Sequence, residues 1–166
     1  MRITDGGPYM DQVRSLLLEY TRKLGRDLTF QNIDEELRDP AKKYCPPYGA
    51  LLVAVSGDVL AGMVAYHRHS ADRCEMKRLY VRPCCRGRGI GGRLVRAIVE
   101  RAGKDGYREM VLDTLAPMRP AIRLYTKMGF TACAPYYENP MDDVIYLKKE
   151  LQTAESSQGG NSVTAC

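Results

Sequence analysis

The chain has 166 residues, 45% hydrophobic and 27% charged, which is the length of one domain with a real core and the composition of a globular protein, not of a disordered or membrane-spanning one. Its net charge of +5 is too modest to imply nucleic acid by itself. The longest aliphatic run, Ala50 to Val55, is far too short to cross a bilayer, and the opening MRITDGGPYMDQ puts acids and glycines where a secretion signal needs basic and then apolar residues. A cytoplasmic protein without membrane or nucleic-acid partners is expected, with one domain over residues 1–151.

Along the chain, Met10, Val13, Leu17, Tyr20 and Leu24 recur at helical spacing, with Pro8 near the start and Gly25 after the end. A short helix over Ile33 to Arg38 is closed by Pro40, and AKKYCPPYGA, residues 41–50, reads as a loop because Pro46 and Pro47 cannot donate ladder hydrogen bonds. Leu51–Val55 and Val59–His67 are strand-like runs joined at Ser56-Gly57-Asp58, a hairpin signal. The next strand, Cys74 to Arg82, alternates so that Glu75, Lys77, Leu79 and Val81 share one face and Met76, Arg78 and Tyr80 the other, and Pro83 stops it. From about Gly89 to Lys104, Ile90, Leu94, Ile98 and Ala102 build the buried stripe of a helix. Met110–Asp113 is another strand. Pro120 opens a helix carrying Ile122, Leu124, Tyr125 and Met128, which Gly129 can end in the left-handed conformation. Thr131–Cys133 and Val144–Leu147 are the last strands, and the tail, residues 152–166, has no useful apolar period and is expected to be disordered.

The six cysteines, at 45, 74, 84, 85, 133 and 166, include no C-x-x-C spacing. Reduced thiols follow, with Cys84 and Cys85 read either as a redox-sensitive pair or as two small loop residues. His67 and His69 would share a strand face, but no third ligand lies near them in sequence, so no metal is expected.

The segment VRPCCRGRGIGGRLVRAI, residues 81–98, stands apart. Arg78, Arg82, Arg86, Arg88, Arg93 and Arg96 fall within 19 residues, which is either a solvated helix face or a site for a polyanion. The glycines favour the site. A helix N-terminus offers unpaired N–H groups and partial positive charge; Gly87, Gly89, Gly91 and Gly92 remove side chains that would hold a phosphate away, and Arg86, Arg88 and Arg93 add charge-assisted bonds. Gly87, Gly89 and Gly92 also satisfy a dinucleotide G-x-G-x-x-G, with Asp105 and Glu109 near the ribose-binding distance. That motif turns tightly out of its strand, whereas Pro83-Cys84-Cys85-Arg86 intervene here.

From Cys74 onward the chain resembles the GNAT superfamily of acyl-CoA-dependent N-acetyltransferases. Arg86-Gly87-Arg88-Gly89-Ile90-Gly91 matches the family's pyrophosphate segment, AIRLYTKMGF (Ala121 to Phe130) its helix, tyrosine and Gly-Phe turn, and EMKRLYV the strand that splays from its neighbour. With Leu112-Asp113-Thr114 and PYYENP the resemblance covers about residues 48–151. It implies an α/β fold of α+β type: a mixed, mostly antiparallel central sheet of about six to seven strands flanked by helices. It also implies acetyl-CoA as co-substrate, with amides from Gly87 through Arg88, Gly89, Ile90 and Gly91 to Gly92 on the pyrophosphate, assisted by Arg86 and Arg93. Main-chain groups of Leu79, Tyr80 and Val81 would meet the pantetheine arm. Thr114 stands where many relatives have a cofactor-orienting asparagine. A homodimer is possible by analogy.

Acyl transfer to an amine needs a neutral nitrogen, since free alkylammonium titrates near ~10, and a proton for a thiolate whose thiol titrates near ~8.5. By resemblance Tyr125 is the acid, the alternative being an aromatic packing residue. Glu75 is the candidate base, directly or through water, the alternative being a strand carboxylate paired with Lys77 or an arginine. Tyr44, Tyr48, Tyr136, Tyr137 and Asn139 either line an acceptor pocket or cover the open end of the sheet. The expected activity is acetyl transfer to a primary amine of a small molecule, amino acid or peptide by direct attack in a ternary complex. The rival is a non-catalytic acyl-CoA-binding regulatory module.

Overall fold

The computed structural model describes residues 1–152; residues 153–166, and with them nearly all of the expected disordered tail, lie outside the described residues. Strand β1 (Arg2–Asp5) leads into α1 (Met10–Leu24), α2 (Ile33–Arg38) and α3 (Pro40–Tyr44). The hairpin β2 (Gly49–Ser56) and β3 (Val59–Arg68) follows, then β4 (Arg73–Val81), α4 (Ile90–Lys104), β5 (Glu109–Leu115), α5 (Arg119–Lys127), β6 (Thr131–Ala132) and β7 (Val144–Glu150). The strands form one seven-stranded sheet in the order β1-β2-β3-β4-β5-β7-β6. Every neighbouring pair is antiparallel except β4 with β5.

The helices divide between the two faces. One face, with Leu52, Val64, Tyr66, Met76 and Leu112, packs against the Ile90–Leu94–Ile98–Ala102 stripe of α4 and against Tyr125 of α5. The other, with Leu51, Val53, Leu60, Met63 and Ala65, packs against Val13, Leu16 and Leu17 of α1 and Tyr44 of α3. Gly25 closes α1 at φ +61, in the left-handed region where glycine has no Cβ penalty. Gly129 follows α5 at φ +85.

Three features depart from the expectations. Residues 40–44 are helical where a loop was expected: Asp39 accepts from the amides of Ala41 and Lys42, and Pro40 occupies the first helical position, so a proline taken as a stop serves as a start. Strand β1 had no visible sequence signal. In β4 the alternation is interrupted: Ala65 pairs with Lys77 but Met63 with Tyr80, so β4 carries one extra residue, and Arg78 sits at φ +60. Beyond this bulge the faces exchange. Leu79 and Val81 join Met76 on the α4 side, while Tyr80 packs on the α1 side that Glu75 and Lys77 occupy upstream. Gly62 permits the close approach, since a Cβ there would lie 2.5 Å from the Tyr80 carbonyl oxygen.

Candidate active site

Proline ends β4, and a 3-10 turn over Pro83–Cys85 carries the chain to α4, held by Cys85 N–H donating to the Arg82 carbonyl (2.9 Å) and Arg86 N–H to that of Pro83 (3.2 Å). Gly87 and Gly89 then take φ +77 and +70, and a Cβ at either would meet open space. Their glycines therefore answer to backbone conformation. Gly91 and Gly92 answer to packing: a Cβ would come within 3.4 Å of Leu124 and 3.3 Å of Met128, both from the α5 segment. Arg93 N–H donates to the Gly89 carbonyl at 3.2 Å, whereas the amides from Gly87 to Gly92 have no acceptor among the described residues. That is the anion-ready helix start inferred from sequence.

Arg86 folds back onto the Val81 carbonyl (3.0 Å); Arg88 and Arg93 are exposed. The amides open onto a groove of about 740 Å³ between α4 and α5, bordered by Leu79, Tyr80 and Val81 and, on its rim, by Lys23 and Arg26. Ile90, in the buried stripe, anchors the turn from below. The dinucleotide alternative loses its ribose partners. Asp105 is paired with Arg101 and accepts from the Tyr66 hydroxyl, and Glu109 is paired with Arg73 and Lys148.

The sheet itself opens beside this groove. β4 and β5 pair only over Arg73–Glu75 against Glu109–Val111, although β4 runs on to Val81 and β5 to Leu115. In the gap lies a smaller polar pocket of about 70 Å³, lined by Tyr20, Lys77, Asp113, Thr114, Tyr125 and Asn139 among others; Tyr20, Leu24, Leu79, Leu115 and Met118 line both spaces. Tyr125 reaches the gap from one face of the sheet and Tyr20 from the other. The Tyr125 side chain is buried, stacks edge-on with Phe130 (5.9 Å), and its hydroxyl makes no hydrogen bond among the described residues. Burial pushes its pKa well above the ordinary phenol range, so it stays a neutral O–H donor. Thr114 Oγ1 donates to Met118 Sδ at 3.9 Å.

Glu75 is the hub of a network. It accepts from His67 Nε2 (2.8 Å), Lys77 Nζ (3.2 Å) and the Tyr136 hydroxyl (3.0 Å). Burial raises its pKa, but His67 and Lys77 outweigh that and hold the carboxyl down to about 2. A carboxylate so engaged and so acidic is a poor direct acceptor for an ammonium proton. Lys77 also faces Asp113 at 3.6 Å, and Asp113 accepts from Tyr137 (2.6 Å) and Asn139 (3.3 Å), so PYYENP is tied to both β4 and β5. Tyr136, Tyr137 and Asn139 are thus brought together. Tyr44 is not with them: it is 1% exposed, with its hydroxyl on Glu36 at 2.8 Å. Tyr48 is exposed beneath Arg68. His69, expected to share a face with His67, lies past the end of β3 and stacks on Tyr136. No cluster of three or more potential metal ligands occurs among the described residues.

Sequence reasoning missed His67, Asp113 and Tyr20 as site residues, and also the Glu36–Arg78 pair. Their roles are set by the partners that the fold brings to them: Glu75 for His67, Tyr137 and Asn139 for Asp113, and Glu36 for Arg78.

Residues 10–130 match the family model described as acetyltransferase (GNAT) family. The chain is 47% identical over 144 residues, 86% of itself and 88% of the relative, to an uncharacterised N-acetyltransferase of Schizosaccharomyces pombe. It is 28% identical to one of Dictyostelium discoideum, over 92% of this chain and 99% of the relative. An acetyltransferase of the GNAT family from Staphylococcus aureus superposes with a TM-score of 0.76 at 16% identity, covering 91% of this chain and 99% of its own. A GNAT family acetyltransferase from Elizabethkingia anophelis, whose crystal structure has acetyl-CoA bound, superposes with a TM-score of 0.57 at 23% identity, over 73% and 82% of the two chains.

Proposed function

The chain belongs to the acetyltransferase (GNAT) family and is an acyltransferase, and from that premise we propose that it moves an acetyl group from acetyl-CoA to a primary amine of a small molecule, amino acid or peptide. Transfer is by direct attack in a ternary complex, within one domain spanning residues 1–151. The observation that carries this reading is the run of acceptor-free amides at the head of α4, opening into a groove that joins a polar pocket beside Tyr125.

Those amides, with Arg88 and Arg93, hold the diphosphate. Leu79, Tyr80 and Val81 pair through main-chain groups with the pantetheine arm along the edge that β5 leaves free, and Thr114 borders its inner end. The amine enters past Tyr136, Tyr137 and Asn139. Tyr125, kept protonated by burial, donates to the sulfur as the carbon–sulfur bond breaks and recovers its proton, through water, from the nitrogen just acylated. Glu75 is a positioning residue, fixing Lys77, His67 and the tyrosine loop, while water carries the ammonium proton to bulk.

The test is coenzyme A release from acetyl-CoA across a panel of amines, read beside calorimetric binding. Thiol release with at least one amine is the expected result. Tight binding with no release for any amine identifies a non-catalytic acyl-CoA-binding module instead, and no binding at all removes the groove from the argument.

A further inference from the structure

The turn that delivers β4 to the glycine segment carries two adjacent cysteines that the transfer chemistry does not use. Their sulfurs lie 3.7 Å apart; Cys84 is exposed, and Cys85 is partly buried against the core under α4. We propose that Cys84 and Cys85 are a vicinal dithiol site for hydroperoxides, and that closing it into a disulfide shuts the groove to acetyl-CoA. The second half of this statement rests on the groove being the acetyl-CoA site.

The chemistry balances without any group the chain lacks, beyond the peroxide. Exposed Cys84 attacks the peroxide oxygen, giving a sulfenic acid and releasing an alcohol or water; the Cys85 thiol then attacks that sulfur and expels water. Two thiols are oxidised and one peroxide bond is reduced. Arg82 and Arg88 stand beside the pair, Arg82 being itself paired with Glu19 at 2.7 Å. The sulfur–sulfur hydrogen bond and partial burial hold Cys85 as the protonated, resolving thiol.

Geometry makes the product a switch and not a staple. Adjacent Cα atoms are about 3.8 Å apart, below the roughly 4.4–6.8 Å span of an ordinary disulfide. Ring closure therefore has to twist the peptide between the two residues, and a strained disulfide is readily reduced. That peptide includes the Cys85 N–H, which holds the 3-10 turn through Arg82. Arg86 and the left-handed Gly87 follow directly. Twisting the turn re-aims the amides that meet the diphosphate, and losing even one charge-assisted bond costs about tenfold in affinity.

The experiment uses the full chain carrying Cys45→Ser, Cys133→Ser and Cys166→Ser, which leaves the pair and the fully buried Cys74. After hydrogen peroxide, alkylation and trypsin, peptide 79–86 should be two hydrogens lighter and unalkylated, and dithiothreitol should reverse this. Titration with acetyl-CoA should show the oxidised protein binding at least about tenfold more weakly than the reduced one. Cys85→Ser and, separately, Cys84→Ser should keep full affinity after peroxide. A peptide alkylated on both cysteines after peroxide overturns the dithiol site, and unchanged affinity of the oxidised protein overturns the switch. Failure of the reduced protein to bind acetyl-CoA refutes the groove assignment and the switch with it, while the peptide mass still decides whether the dithiol closes.

Discussion

Replacing Glu36 with glutamine tests how the bulge in β4 is held. Arg78 Nε and Nη2 donate to the two Glu36 oxygens at 2.7 and 3.0 Å, and the side chains are 2% and 1% exposed. Tyr44 and Lys43 donate to the same carboxylate. Breaking a buried pair by removing one charge costs about 3–5 kcal/mol, because the other charge is left desolvated. A second route gives a similar size. Burial opposes the charge on Glu36, yet Arg78 and Lys43 hold its carboxyl at about 2 against an ordinary 4.5. At ~1.36 kcal/mol per pH unit that gap is worth about 3 kcal/mol. The unfolded chain takes up this proton near 4.5 and the native one only near 2. The contribution is therefore complete above the unfolded value and is lost as the pH falls from about 4.5 to about 2. Urea denaturation at pH 7 should show Glu36→Gln less stable by about 3–5 kcal/mol, a large part of the ~5–15 kcal/mol of a typical domain. Between pH 5 and 2 the variant should lose about 3 kcal/mol less than wild type, with Glu75, held down in the same way, contributing to the acid sensitivity that remains. The double variant Glu36→Leu with Arg78→Met should recover part of the loss, since the Arg78 charge no longer stays buried, while the Tyr44 hydroxyl and the Lys43 ammonium, which lose their acceptor, keep the rest. A Glu36→Gln protein within about 1 kcal/mol of wild type at pH 7, or with an unaltered acid limb, would refute the reasoning.

Tyr125→Phe should lower kcat by about 10²–10⁴-fold with acetyl-CoA affinity unchanged, and undiminished kcat in a thiol-release assay removes the phenol from the mechanism. Glu75→Gln should reduce kcat while the basic-side rise of the pH–rate profile persists; a profile flattened by this change would restore Glu75 as the base. Gly89→Val places a β-branched residue at φ +70, a cost of roughly 1–2 kcal/mol, and should weaken acetyl-CoA about tenfold or more in calorimetry; equal affinity would show that the amide turn does not bind it. Gly62→Ala should cost about 1–3 kcal/mol through its clash with the Tyr80 carbonyl, and a thermal midpoint equal to wild type would contradict the tight β3–β4 crossing.

What could be read from the chain is what acts within a few residues. The period of α1 and α4, the Gly57-Asp58 hairpin, the close of α5 at Gly129 and the glycine turn at residues 87–92 depend on local sterics and on one apolar stripe, and the structure has them where the residues put them. Residues 40–44 failed for a local reason: a proline after Asp39 can end one helix or begin another, and only the cap bonds to Ala41 and Lys42 select the second. The two-residue alternation of β4 failed because a single inserted residue reverses every side chain beyond it, and that insertion is fixed by the pairing with β3.

The sequence by itself determined the anion-ready turn and the helix that carries Tyr125, because backbone conformation and apolar periodicity are short-range, while the class of fold was legible only through the family resemblance of residues 86–91 and 121–130. Only the tertiary structure decided which charges neutralise one another: Glu36 meets Arg78 across 42 positions and Glu75 meets Tyr136 across 61. Desolvation and Coulomb energy depend on distance in space, not along the chain. The two carboxylates thereby become fixed anions, and the gap between β4 and β5 is where the groove and the polar pocket join.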